Sequence, residues 1–169
     1  EAARIAEAEY RRTGSAAMFL AALDLHAERR DRTAMQRLFE ALTPQAEAAL
    51  GAEARFYTLR AQWRQSRGEL PLALADFRRA LTIDPSTDGK VALLWFLVDN
   101  RLDRELRREL ELQSAEAERD AALAGVHAAG WMQLNEPRRA LPHFRRELAT
   151  RRDDLLWIMA YADALEAGG

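Results

Sequence analysis

The chain of 169 residues contains no cysteine, so it can form neither a disulfide framework nor a thiolate metal site. Its longest apolar run, VALLWFLV at 91–98, is far shorter than the roughly 20 residues that a membrane-spanning helix needs. Lysine is almost absent, with Lys90 the single example, and the net charge of −2 reflects no basic excess. Since nucleic-acid-binding proteins usually carry such an excess, we expect no nucleic-acid partner. From the short apolar run we expect no membrane-spanning helix in this chain.

The two chain ends also lack familiar signals. No initiator Met or signal peptide is present, and a helical pattern already runs from the first residue. We therefore expect the chain to be part of a longer protein, whose other parts could hold a signal peptide, a membrane domain or a catalytic domain. The absence of cysteine suits an oxidising compartment such as the periplasm, and the cytoplasm is the alternative.

An internal repeat is the strongest positive signal in the sequence. The segment LALADFRRAL at 72–81 returns as RALPHFRREL at 139–148, with six identities at one offset, 140 − 73 = 67 residues. This offset is close to two periods of the roughly 34-residue tetratricopeptide repeat. The pattern predicts an all-α fold, an α-α superhelix (solenoid) of helix-turn-helix repeats.

Residues 54–87 give the clearest single repeat. They carry the residues typical of the tetratricopeptide frame, namely Tyr57, Ala61, Gly68, Ala73, Phe77, Ala80 and Pro85. Small side chains let the two helices of a pair approach closely, and Gly68 tolerates the left-handed backbone that ends the first helix. In the other repeats, Arg29 or Arg30, Asn100 and Asn135 take the place of this glycine.

We predict one continuous solenoid over residues 1–169. Its expected parts are a closing helix 1–13, a degenerate repeat 15–42, an insert 43–53, a repeat 54–87, a degenerate repeat 88–120, a repeat 121–154 and an opening helix 155–169. Thr43 followed by Pro44 predicts a short extra helix inside the insert, because the pair makes a good N-cap and first helical position.

Residue constellations for catalysis are missing from the sequence. The three histidines, His26, His127 and His143, have no metal-binding spacing, and His127 is expected to be a packing residue on an Ala-rich helix. Acidic residues alternate with arginines at helical spacing, which is typical of a solvated helix surface. We expect no enzyme activity, no cofactor and no metal.

The four tryptophans, Trp63, Trp95, Trp131 and Trp157, all fall on expected first helices. We interpret them mainly as packing residues between repeats. The alternative is that one lines a groove and stacks on a sugar or peptide. For a sugar site, Trp157 near Asp163 is the candidate, because it pairs an aromatic with a carboxylate.

First helices line the concave surface of a tetratricopeptide solenoid, so the expected partner-binding residues lie there. They are Arg55, Thr58, Gln62, Gln65, Phe96, Asp99, Met132, Gln133, Asp163 and Glu166. Chaperone adaptors of this kind place Lys and Asn where Thr58 and Gln62 stand. This difference disfavours a clamp for a partner's terminal carboxylate.

Three segments resemble a particular family: ALLWFLVDNRLDREL at 92–106, NEPRRALPHFRRELATRRDDLLW at 135–157 and YADALEAGG at 161–169. They are similar to the periplasmic tetratricopeptide region of the Pel exopolysaccharide outer-membrane export proteins (the PelB family). The resemblance implies a periplasmic location within an outer-membrane protein. It also implies docking of a polysaccharide deacetylase/hydrolase near the export pore, and it carries over no catalytic residue.

The first functional hypothesis is therefore a non-catalytic scaffold that docks a polysaccharide-modifying enzyme. The second is a direct polysaccharide-binding surface, with exposed aromatics beside carboxylates. The third is a general adaptor for a partner peptide.

Overall fold

The computed structural model describes residues 1–148 and 150–168, and this part of the chain is helical without strands. The all-α prediction is therefore confirmed. Position 149, in the expected repeat 121–154, and position 169, at the end of the expected helix 155–169, lie outside the described residues. The helices fall into two compact units, Glu1–Pro85 (unit 1) and Ser86–Gly169 (unit 2). A solenoid continuous through both units stays a prediction.

Unit 1 is built from consecutive helices that pack in pairs. They are α1 (Ala2–Thr13), α2 (Ala16–Glu28), α3 (Arg32–Glu40), α4 (Pro44–Ala49), α5 (Ala54–Ser66) and α6 (Leu70–Ile83). Helix α2 contacts α1 and α3, and α5 packs along α6. The α5–α6 hairpin occupies the expected repeat 54–87, and α4 is the expected extra helix of the insert. Thr43 caps α4 by accepting a hydrogen bond from the Ala46 N–H at 3.2 Å.

The core of unit 1 is aromatic. Phe19 and Phe56 are fully buried, and their ring centroids lie 6.3 Å apart in an edge-on arrangement. Tyr10 packs edge-on against Phe19 at 5.1 Å. Its hydroxyl donates to the Ala41 carbonyl at 2.9 Å and accepts from the Thr43 N–H at 3.0 Å. Tyr10 therefore ties α1 to the segment that begins the insert.

Unit 2 has the same pairwise arrangement. Its helices are α7 (Thr87–Asp99), α8 (Asp103–Leu112), α9 (Ser114–Ala117), α10 (Ala121–Gln133), α11 (Pro137–Glu147) and α12 (Leu155–Gly168). Helix α10 packs against α7, α8, α9 and α11, and α11 also packs against α12. The Leu110 side chain of α8 packs against the α10 backbone at Gly130, where an added Cβ would stand 2.9 Å from Leu110 Cδ1.

Four helix-helix turns share one geometry. The turn residue has a positive φ in each, at Arg30 (56°), Gly68 (75°), Arg101 (54°) and Asn135 (57°). In each turn the N–H of the residue after the positive-φ position donates to the carbonyl five residues before it, with N–O distances of 2.9, 3.0, 3.0 and 2.9 Å. The turns are spaced 68 − 30 = 38, 101 − 68 = 33 and 135 − 101 = 34 residues apart, which is the repeat period with one insertion.

One turn residue differs from the prediction. Asn100 was expected to adopt the left-handed conformation, but its φ is −102° and Arg101 takes that conformation instead. Asn100 remains in the helix cap, where its Nδ2 donates to the Phe96 carbonyl at 2.7 Å. The side chain of Asn100 thus stabilises the last turn of α7, and the reversal falls one residue later.

Candidate functional site

The expected partner-binding residues of unit 1 all lie on α5. They are Arg55, Thr58, Gln62 and Gln65. Arg55 donates from Nε to Asp24 Oδ1 at 2.6 Å, and the Thr58 hydroxyl donates to the Ala54 carbonyl at 3.2 Å. Two of these four polar side chains are therefore already held by partners within unit 1.

The remaining expected residues lie in unit 2, and most of them reach solvent. Asp99, Asp163 and Glu166 are exposed, and Met132 and Gln133 are half-buried. Gln133 donates from Nε2 to Asp103 Oδ1 at 2.7 Å. Whether these side chains contact a partner stays a prediction.

Phe96 is a correction to that set. Its side chain is only 2% exposed, so it belongs to the core of unit 2 and not to a groove surface. The neighbouring Trp95 is 41% exposed. Successive helical positions are rotated by about 100°, so α7 can present one of these rings to solvent while it buries the other.

Trp95 is the one exposed tryptophan in the described part of the chain. Trp63 stacks on Phe39 at 4.4 Å, and Trp131 and Trp157 are buried, at 4% and 7% exposure. The pairing of Trp157 with Asp163 as a sugar-site candidate is therefore wrong, since Trp157 packs edge-on against Phe144 at 5.5 Å. The packing interpretation fits Trp63, Trp131 and Trp157 but not Trp95.

We call the exposed side of α7 the α7 surface; it consists of Asp88, Ala92, Trp95 and Asp99. Their spacings of three, four and seven residues put them on one face of the helix. Asp88 and Asp99 are exposed and have no ion pair within residues 1–148 and 150–168. The α7 surface therefore places a large aromatic ring between two uncompensated carboxylates.

A second feature of unit 2 is a cavity of about 400 Å³, which we call the α9–α11 cavity. On one side it is lined by Glu111 of α8, Ser114 of α9 and Glu118, which directly follows α9. Arg138, Arg139 and His143 line it from α11. One wall is thus acidic and the facing wall is basic.

Three contacts hold the Arg139 side chain in the wall of the cavity. The Arg139 guanidinium lies 4.5 Å above the Trp131 ring and 3.3 Å from Glu111 Oε1. Its Nε also lies 3.1 Å from Glu136 Oε2. A cation stacked on an indole and paired with two carboxylates has little freedom to move.

Two histidines lie next to each other beneath this cavity. The ring centroids of His127 and His143 are 5.0 Å apart. His127 is fully buried, as its packing role predicted, and neither of its ring nitrogens has a hydrogen-bond partner in the described residues. Burial, together with the charge of His143, lowers the pKa of His127 to about 4. His127 is therefore neutral at physiological pH.

His143 differs from His127 because it reaches the cavity. It is 8% exposed and lines the cavity wall. Burial lowers the pKa of His143, the charge of Glu118 raises it, and the charge of Arg146 lowers it again, with a net lowering. A neutral imidazole at this position can both donate and accept a hydrogen bond.

Within residues 1–148 and 150–168, no group of three or more His, Cys, Asp or Glu side chains has a metal-binding arrangement. None of the helices described combines the length and the apolar character of a membrane span.

Helix pairs that end in the same left-handed turn, at the spacings given above, define a helical-repeat protein. A family model described as tetratricopeptide repeat matches residues 1–169, and this chain belongs to that family. The comparisons with curated proteins and with solved structures give no match. Repeats of this kind form surfaces for protein–protein interaction, so the family points to a scaffold with protein partners.

Proposed function

We propose that this chain is a non-catalytic docking scaffold and that a protein partner binds at the α7 surface. The exposure of Trp95 carries the proposal. Tryptophan is enriched among the residues that dominate protein–protein binding energies, and a 41% exposed indole on a packed helix offers such an anchor. The carboxylates of Asp88 and Asp99 favour a partner that brings basic side chains around an apolar contact.

The sequence resemblance supports a more specific role for the same surface. Three segments of unit 2 are similar to the periplasmic region of the Pel exopolysaccharide export proteins. On this ground we propose that the chain acts in exopolysaccharide export, in the periplasm and as part of an outer-membrane protein. Its partner would be a polysaccharide deacetylase/hydrolase held near the pore.

A binding measurement with purified proteins tests this role. The whole chain is immobilised, and the periplasmic deacetylase/hydrolase of the same export system is passed over it in biolayer interferometry. We expect saturable binding that weakens as salt is raised, because the α7 surface is acidic. Absence of binding by the folded chain would reject the specific partner but leave the family's general scaffold role in place.

A second candidate function is direct binding of polysaccharide. An exposed aromatic ring beside carboxylates was the arrangement expected of a sugar site, and Trp95 with Asp99 supplies it. Titration of the ¹⁵N-labelled chain with oligosaccharide tests this candidate. A shift of the Trp95 indole N–H signal that saturates would support it, and an unmoved signal would reject it.

A further inference from the structure

The α9–α11 cavity lies apart from the α7 surface, and the docking function makes no use of it. A volume of about 400 Å³ falls at the small end of the range of ligand-binding pockets, roughly 300–1,000 Å³. All the residues that line it belong to unit 2. The cavity can therefore be considered as a site in its own right.

His143 is the first observation that points to a ligand. More than nine-tenths of this side chain is buried, yet its imidazole has no hydrogen-bond partner among the described residues. Its ring nitrogens, unlike those of His127, are not fully buried. Because His143 lines the cavity, a molecule bound there can form a hydrogen bond with this imidazole.

Glu118 is the second observation. Its side chain lines the same cavity and makes no hydrogen bond or ion pair within residues 1–148 and 150–168. Glu111, by contrast, is already paired with Arg139. Glu118 is thus the acceptor on the acidic wall that remains available to a cationic or hydrogen-bond-donating group.

The basic wall complements this acceptor. Arg138 and Arg139 both line the cavity from α11, and Arg139 is already paired with Glu111 and Glu136. A guanidinium presents five N–H donors in a fixed fork, which suits a carboxylate. The Arg138 Nε donates to the Gly168 carbonyl at 3.0 Å, and this contact orients the group. A ligand with one positive and one negative end matches the two walls.

Apolar surface completes the cavity. Pro142 and the indole of Trp131 lie among the lining residues. They offer contact to a small apolar side chain between the charged ends of a ligand.

We propose that the α9–α11 cavity binds a small zwitterion of the free-dipeptide class, with its ammonium group at Glu118 and its carboxylate at Arg138. The apolar side chain of the ligand lies against Pro142 and Trp131. The imidazole of His143 provides a further hydrogen bond to the ligand.

The test is a titration of the ¹⁵N-labelled whole chain, followed by amide and indole signals. The probe is free leucyl-alanine, compared with N-acetyl-leucyl-alanine, which lacks the ammonium, and with leucyl-alanine amide, which lacks the carboxylate. We expect the free dipeptide to shift the Trp131 indole signal and the amide signals of residues 118 and 143. Each blocked form should bind about tenfold more weakly, the effect of losing one charge-assisted contact.

Variants locate the binding. Glu118→Gln should weaken leucyl-alanine binding about tenfold, because it removes the negative charge and keeps the shape of the side chain. Glu53→Gln, at an exposed carboxylate of unit 1, should leave the affinity unchanged. Both variants alter surface side chains, so their amide spectra should otherwise match that of the original chain.

Three results would overturn the proposal. The first is no shift of the cavity signals with free leucyl-alanine up to its solubility limit. The second is equal binding of the free and blocked dipeptides. The third is saturable binding of a neutral disaccharide, such as sucrose, at the same signals in place of the dipeptide.

Discussion

Asp76 of α6 accepts two hydrogen bonds from the Arg60 guanidinium of α5, at 2.8 and 2.9 Å. Arg64, one turn further along α5, donates from Nη1 to Asp76 Oδ2 at 2.6 Å. The Asp76 side chain is 4% exposed. A single buried carboxylate therefore joins the two helices of the repeat 54–87 through two arginines.

Replacement of Asp76 by alanine should destabilise the protein by about 3 kcal/mol, because it leaves two partly buried guanidinium groups without their shared partner. Urea denaturation followed by circular dichroism measures this change. Asp24→Ala is the matched control, since it removes the exposed ion pair with Arg55 and should cost less than about 1 kcal/mol. Equal costs for the two variants would contradict the importance given to the buried carboxylate.

His127 should make stability depend on pH. Its pKa is about 4 in the folded protein and 6.5 without the fold, so the unfolded chain binds a proton more readily between these values. The contribution of neutral His127 to the free energy of unfolding is therefore fully present above pH 6.5, and it is lost as the pH falls toward 4. We expect the free energy of unfolding to decrease by about 2 kcal/mol between pH 7.5 and pH 5 through His127.

The variant His127→Leu isolates this contribution, because it places an apolar side chain of similar size in the same buried position. Denaturation curves at pH 7.5 and pH 5 should differ less for the variant than for the original chain. An identical pH dependence in both proteins would mean that the buried imidazole is not the group responsible.

Replacement of Arg101 by glycine should relieve strain in the backbone of the turn between α7 and α8. A side chain with φ 54° is strained by about 1 kcal/mol, whereas glycine adopts this conformation freely. After allowance for the greater entropy of glycine in the unfolded chain, Arg101→Gly should stabilise by about 0.5 kcal/mol. Arg108→Gly, at an exposed position in the interior of α8, should instead destabilise by about 1 kcal/mol. Thermal unfolding of the two variants gives the signs, and destabilisation by Arg101→Gly would contradict the turn assignment.

One phenylalanine recurs in the second helix of the repeats 54–87 and 121–154, and it is buried in both repeats. Phe77 and Phe144 are each 3% exposed. Phe144 also stacks on Tyr161 of α12 at 5.6 Å. Phe144→Ala should therefore cost about 3–5 kcal/mol, measured by urea denaturation. Leu112→Ala, at a 70% exposed position of α8, should cost less than about 0.5 kcal/mol. A similar small cost for Phe144→Ala would exclude it from the core.

The all-α fold and the turns at Gly68 and Asn135 could be predicted from the sequence because turn residues and small residues recur at the repeat period. Which face of α7 is exposed to solvent could not be predicted from the sequence. Its central run, VALLWFLV, is apolar on every side, so periodicity does not distinguish the exposed Trp95 from the buried Phe96. That choice depends on packing against α8 and α10.

The α9–α11 cavity was also beyond prediction from the sequence. His143 precedes Phe144, a core residue of the repeat, but successive helical positions are rotated by about 100°, so this position does not indicate which way His143 faces. Its neighbours Glu118 and Arg139 lie more than twenty residues apart in sequence. Only the packing of α9 against α10 and of α10 against α11 brings them to one cavity.

Docking at the α7 surface depends on Trp95 as the anchor for a protein partner. The direct measurement is the dissociation constant of the deacetylase/hydrolase for the original chain and for Trp95→Ala. Leu112→Ala, at an exposed apolar residue of α8, is the control. We predict that Trp95→Ala raises the dissociation constant about thirtyfold, as expected of an anchor worth about 2 kcal/mol, while Leu112→Ala leaves it unchanged. Equal dissociation constants for all three folded chains would contradict docking at the α7 surface.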